Sequence, residues 1–278
     1  MAKYMKTEQG YIDIPVSFKP SGKSYLTFSS SNSFTLKVGN STKNWNGTLE
    51  YFASNKTWIT WDGMSALSAV ADDGEYVLYL RGIGNTVIAG GIYDYRLVLT
   101  GSNIACIGNI ENLLDYTTVE SGGHPTMADQ CYSYMFFDCT SLTQAPNLPA
   151  TTLANSCYSY MFGGCTSLKF SSTQSDEYTQ EYRIPSFGDG VAAVNSLFEM
   201  LVLTGGTYTG TPSINTMYYL SSDNMVVRET ETATMNRYVK NMINNAECII
   251  PSSTPNSIKK FKITVDDSGA ITATEVTT

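Results

Sequence analysis

The residues able to do chemistry in this chain are few, and their spacing favours burial over reaction. Six cysteines and one histidine are the groups that could serve as nucleophile, base or metal ligand. His124, in Ser121-Gly-Gly-His-Pro125, is the sole imidazole, and no C-x2-C pair accompanies it to complete a zinc site. Four of the cysteines fall in two pairs, Cys131 with Cys139 and Cys157 with Cys165. In a helix that spacing separates the two members by ~12 Å, beyond the ~6.8 Å between Cα atoms that a disulfide can span. These four therefore read as small buried apolar groups. Asp72-Asp73 and Asp266-Asp267 flank glycine-containing turns without EF-hand spacing. Gly82-Ile-Gly84 continues as Asn-Thr-Val and leaves a phosphate-binding turn incomplete. No catalytic residue, metal site or cofactor is assigned, and the chain is expected not to be an enzyme.

Aromatic side chains are the stronger candidates for recognition, because flat rings gain contact area at low entropic cost. Trp45, Trp58 and Trp61 fall in the first hundred residues, where they either fill a core or stack on a sugar. Tyr132 and Tyr134 belong to a block, CYSYMFFDCTSL from Cys131, and Tyr158 and Tyr160 to a second, CYSYMFGGCTSL from Cys157. Tyr132 and Tyr158 occupy equivalent places and are expected to line up as a column. These seven residues form the candidate ligand-binding set, with a glycan as the ligand class. The alternative for the tyrosines is packing between repeats.

The elements that must position them follow from periodicity. The two blocks agree at ten of twelve positions with an offset of 26 residues. A fixed period in the twenties predicts stacked units, each burying its apolar face against the next. Met127, Cys131, Met135 and Cys139 recur every fourth residue with Phe136 beside them, and Leu153, Cys157, Met161, Phe162 and Cys165 repeat the stripe. That spacing predicts a helix. Pro146 and Pro149 forbid helix between the blocks and predict an extended rung. Weaker copies are read at 193–201, where Leu197-Phe198 stands for Met-Phe, and at 238–249. Residues 169–190, with Asp176, Glu177 and Glu181, read as a polar insertion of the kind that carries recognition.

Residues 1–100 hold short runs of β-formers, among them Tyr25–Phe28, Ser33–Val38, Gly47–Phe52, Thr57–Trp61 and Glu75–Arg81, separated by turn signals. Their spacing predicts an antiparallel, Ig-like β-sandwich. Strand alternation returns at 260–276 and predicts a terminal β-hairpin, which caps the stack or docks on another subunit. The formal charge of −8, with 17 Lys and Arg in total, argues against a nucleic-acid partner, which needs clustered cations. No stretch approaches the ~20 apolar residues of a membrane span, so no membrane partner is expected. The opening MAKYMKTEQGYIDIPV has no apolar run of the length a secretory signal needs. An extracellular-looking composition without an export address is expected of a mature fragment or of a protein released by lysis, as virion proteins are.

The unit A-x-x-C-Y-x-x-M-F-x-x-C-T-S-L, seen in Phe136-Phe-Asp-Cys-Thr-Ser-Leu142 and Phe162-Gly-Gly-Cys-Thr-Ser-Leu168, resembles the BspA-type leucine-rich repeats of surface proteins in gut and oral bacteria. Trp58-Ile-Thr-Trp-Asp-Gly63, Leu78–Asn85 and Gly108–Asp115 are similar to the module that accompanies such repeats in Bacteroides-associated bacterial and phage proteins. The resemblance implies an α+β chain in three parts. These are an N-terminal antiparallel β-sandwich (1–100), a short leucine-rich-repeat-like solenoid of helix plus extended rung (101–250), and a C-terminal β-hairpin (251–278). It also implies a non-catalytic virion surface component of a gut bacteriophage, a head fibre, decoration or tail-associated protein. The expected partners are capsid or tail proteins, further copies of the chain in a homo-oligomer with trimeric symmetry as one option, and a host or mucosal glycan. The alternative is a leucine-rich-repeat adhesin on the bacterial cell surface.

Overall fold

The structure is a computed structural model that describes residues 3–7, 10–14, 18–21, 25–40, 43–72, 74–221, 249–251, 260–265 and 271–276. Among the described residues it is mostly β-sheet with a single α-helix, Asn112–Glu120. The chain divides into two compact units, Ser17–Val226 and the two termini, Met1–Val16 with Val227–Thr278. The weaker repeat copy read over 238–249 lies outside the described residues except for Ile249, which begins a strand, and the Asp266-Asp267 pair lies outside them too.

In the larger unit the strand Leu26–Ser30 is buried along its whole length, because it runs between Glu75–Ile83 and Ile104–Ile107 in the middle of a seven-stranded sheet. A smaller sheet pairs Thr35–Val38 with Leu97–Thr100 and Leu67–Ser68. Its alternation is the period of a half-buried strand, with Leu36 and Val38 inward and Lys37 outward. All five β-runs read from the first hundred residues are strands within two or so residues at either end. The boundary expected at residue 100 falls inside this unit. Ile104–Ile107 pairs antiparallel with Leu26–Ser30 and parallel with Leu142–Gln144, so one sheet and one core continue from the first hundred residues into the repeats. Helix Asn112–Glu120 lies so close to Glu75–Ile83 that a Cβ at Gly82 would overlap the Leu113 carbonyl; only glycine fits there.

The repeat blocks are not helical. Residues 129–138, 155–164 and 194–200 are runs of overlapping turns. In the first run Cys131, Ser133, Met135, Phe137 and Cys139 each donate their N–H to the carbonyl three residues back. The intervening N–H groups of Tyr132, Tyr134, Phe136 and Asp138 donate to the carbonyls of Cys157, Ser159, Met161 and Gly163 at 2.8–3.0 Å. The second run does the same toward the third: Tyr158, Tyr160, Phe162 and Gly164 donate to Ser196, Phe198, Met200 and Val202. Every N–H of this ladder points forward along the stack, which meets the backbone's hydrogen-bonding requirement without a helix.

The backbone achieves this by entering the left-handed region at every fourth residue. These are Gln130, Tyr134 and Asp138, then Ser156, Tyr160 and Gly164, then Asn195, Glu199 and Leu203, all with φ between 50° and 71°. A helix and this staircase both bring every fourth side chain to one face, which is why the stripe reads as helical in the sequence. Equivalent side chains meet as layers: Cys131, Met135, Phe136 and Cys139 are buried with Cys157, Met161, Phe162 and Cys165 in one core.

The ladder also corrects the register of the third copy. Ser133 Oγ bonds Ser159 O across 26 residues, and Ser159 Oγ bonds Phe198 O across 39. Met161-Phe162 therefore corresponds to Met200-Leu201, and Leu197-Phe198 stands at the place of Tyr158-Ser159. The longer interval accommodates 169–190, read from the sequence as a polar insertion, which contributes two strands joined and followed by irregular segments. Lys169–Ser171 and Tyr178–Arg183 flank Met217–Ser221 in a four-stranded sheet.

In the other unit Lys3–Thr7 pairs antiparallel with Gly10–Ile14. Lys260–Val265 pairs antiparallel with Ile271–Val276, Val265 opposite Ile271, in the hairpin expected from alternation, and Ile249–Pro251 adds a third strand.

Candidate functional site

The seven aromatic candidates divide by burial. Trp45 and Trp61 are buried and stacked on one another, centroids 5.4 Å apart, and the Trp61 indole donates to Ser65 O at 2.8 Å. They are core, not platform. Tyr132 and Tyr158 are fully buried and parallel at 5.6 Å, the column expected from their equivalence, with the Tyr132 hydroxyl donating to Ile110 O. A ligand cannot reach these four side chains.

Trp58, Tyr134 and Tyr160 are half-buried, but their ring faces are occupied. The Arg81 guanidinium lies 4.2 Å from the Trp58 ring centroid and 4.1 Å from that of Tyr116, while its Nε donates to Glu50 Oε2 at 2.8 Å. Tyr134 and Tyr160 are parallel at 4.8 Å, closing each other's facing sides, and Tyr93, Phe137 and Phe198 make edge or tilted contacts around them. Tyr93 is held in turn by Arg96 over its ring and by its hydroxyl donating to Asp138 Oδ2. Such pairs are each worth ~0.5–1.5 kcal/mol, so this outer column stabilises the stack. The stacking surfaces a sugar would use are largely consumed by it.

The five described thiols are equally inert. Cys106, Cys131, Cys139, Cys157 and Cys165 are free and buried. Burial pushes all five thiols up, Cys139 and Cys157 to about 12, so they stay protonated at neutral pH and are poor nucleophiles and ligands. Cys165 Sγ donates to Phe136 O of the preceding coil, adding a bond between layers.

His124 has a partner that the sequence does not disclose. Its Nδ1 sits 2.9 Å and 3.0 Å from the two carboxylate oxygens of Glu111, whose side chain is 1% exposed against 49% for the histidine. Glu111 stands just before the helix, its N–H bonded to Asn109 Oδ1. The pair thus ties the helix start to the segment leading into the first block. Burial raises the Glu111 carboxyl pKa, opposed by the hydrogen bond and charge of His124. A raised carboxyl pKa means the folded chain holds the proton more tightly than the unfolded one. That contribution to stability is complete below the ordinary carboxylate pKa of ~4.3 and is lost as pH climbs through the raised value. Glu111→Gln is expected to remove this decline. Urea midpoints of both proteins from about pH 4 to about pH 8 check it, and parallel profiles would refute it.

One exposed aromatic escapes the sequence reading. Phe187 is 75% exposed and sits in Pro185-Ser-Phe-Gly-Asp-Gly190, a run of turn formers with no apolar neighbour in sequence to help bury a ring. That isolation is the signal that could have found it. Among the described residues no group of three His, Cys, Asp or Glu is placed to hold a metal ion, and no helix is long and apolar enough to cross a membrane. No protein-family model, curated protein or solved structure matches this chain.

Proposed function

We propose that this chain is a non-catalytic display protein on the virion of a gut bacteriophage. It would be a head fibre, decoration or tail-associated component in which a BspA-type, leucine-rich-repeat-like solenoid follows an Ig-like β-sandwich. The observation that carries the reading is the ladder from 129 to 202. Near-identical sequence blocks stack in register, bury their thiols and tyrosines, and turn their chemistry into scaffolding. A rigid stack of this kind presents a surface and holds no reaction pocket. The two sheets with a common core before the repeats fit the sandwich part, and the net negative charge fits a protein partner better than a nucleic acid. Docking on capsid or tail, homo-oligomerisation and contact with host or mucosal glycans belong to the same proposal.

Purified particles provide the test. Peptides of this chain are expected to co-sediment with particles through a density gradient and to be labelled by antibody on the particle surface. Recovery of the chain from the host envelope, with none on particles, would favour the bacterial adhesin and overturn the phage assignment.

A further inference from the structure

We propose that a cleft beside Phe187 binds one neutral saccharide residue, with the exposed ring as its stacking platform. This deepens the glycan-contact part of the function proposed above and moves it away from the tyrosine column.

The cleft holds about 210 Å³ and is lined by Phe187, Ser186, Glu181, Asn147, Arg183 and Met217, among others. That is below the ~300–1,000 Å³ of sites for drug-sized ligands, so it suits a single small ring. Among the described residues Phe187 pairs with no other aromatic ring, unlike Tyr134, Tyr160 and Trp58. Its loop is nevertheless rigidly held. Arg183 donates to Pro185 O at 3.1 Å, to Gly188 O, and to Asp189 Oδ1 at 2.6 Å. Ser186 N–H donates to Leu148 O, Asn215 N–H to Ile184 O, and Asn215 exchanges bonds with both backbone groups of Gly190. A large ring is therefore fixed in water by a loop that has little freedom left to lose, which is the preorganisation a binding platform needs.

The polar groups around it match a sugar. The side chains of Glu181 and Asn147 line the cleft and have no partner among the described residues. A carboxylate and an amide offer both acceptors and donors to a ring of hydroxyls, while the C–H face of the sugar meets Phe187. Charge sets the class. Four of the five N–H donors of the Arg183 guanidinium are taken by loop acceptors, Asn215 Oδ1 at 3.4 Å being the last, and Asp189 offsets its charge, so among the described lining residues the cation is committed to its own loop while Glu181 repels anions. Neutral hexoses and N-acetylhexosamines fit; sialic, uronic and sulfated sugars do not.

Saturation-transfer NMR on the full chain tests this with glucose, galactose, mannose, fucose, N-acetylglucosamine, N-acetylgalactosamine, sialic acid and glucuronic acid, each at millimolar concentration. At least one neutral sugar is expected to give transfer and neither acid to do so. Phe187→Ala, a surface change that leaves the urea midpoint in place, is expected to weaken binding by about tenfold or more, and Glu181→Gln to weaken it several-fold. Absence of transfer from every neutral sugar, preference for an acid, or binding unchanged in Phe187→Ala would each overturn the site. Phe187→Ala protein is still expected on particles, so loss of sugar binding with retained particle association condemns only the cleft, and the reverse condemns only the virion assignment.

Discussion

Changing Gly163 to Phe and Gly164 to Asp, which would make the second block identical to the first, is expected to destabilise the protein by about 2–5 kcal/mol. The blocks differ at these two positions alone, and both differences are answers to the layer before. A Cβ at Gly163 would overlap the Phe137 ring, with Cδ2 at 2.7 Å and Val202 Cγ1 of the third coil at 3.1 Å on another side. Phe137, Gly163 and Val202 thus form a large, absent and medium sequence through three layers, and a second ring has nowhere to go. Gly164 has φ +71°, and a Cβ there would overlap the Asp138 carboxylate. An aspartate would add left-handed strain and set a second carboxylate beside the first. Equilibrium urea unfolding of the full chain measures the loss. Exchanging the pair as Phe137→Gly with Gly163→Phe is expected to recover part of it, because the two sites share one space. A double variant as stable as the parent would mean that the layers do not touch as described.

That pair also marks how far the sequence could be read. Ten identities at a spacing of 26 residues revealed that two segments are structural equivalents and which side chains turn inward, since Cys131, Met135 and Phe136 are as buried as Cys157, Met161 and Phe162. The early strands were legible from alternating β-formers, and so was the terminal hairpin. The local conformation of the blocks was not. A four-residue stripe is the mark of a helix unless something reveals a positive φ, and here the left-handed positions are filled by Gln130, Tyr134, Asp138, Ser156, Tyr160, Asn195, Glu199 and Leu203, with glycine only at 164; Asp138 and Asn195 alone are of a type that enters that region readily. Non-glycine residues in that region cost ~1–2 kcal/mol each. The forward hydrogen bonds and stacked rings between coils offset this, and they exist only once the chain has folded back on itself. The aromatic site candidates misled for a related reason. Ring type and periodicity indicate that tyrosines align, but only packing decides whether a column faces inward, as Tyr132 and Tyr158 do, or lies at the surface with its faces closed. Phe187 was hidden by the opposite condition, since a lone ring among turn residues has no pattern to announce it.

Phe162→Ala is expected to cost about 3–5 kcal/mol, the range for emptying a buried phenylalanine site. The ring is fully buried and lies parallel to Phe136 at 5.5 Å and 7°. Its backbone N–H, bonded to Met200 O, fixes the third coil's register as well, so the cavity opens between layers that cannot easily collapse into it. Phe162→Leu is expected to lose much less, because the third coil already places Leu201 there. Phe198→Ala supplies the contrast. In a register that matched Leu197-Phe198 to Met161-Phe162, Phe198 would be the next buried ring and its loss equally severe. The structure leaves it 43% exposed, in edge contact with Tyr160, and its truncation is expected to cost about 1 kcal/mol or less. Urea midpoints of the three variants decide between the registers. Equal losses at 162 and 198 would favour the one drawn from the Leu-Phe motif, whereas a large loss at 162 alone requires the ladder in which Phe162 donates to Met200 and layers of the stack are 26 and then 39 residues apart.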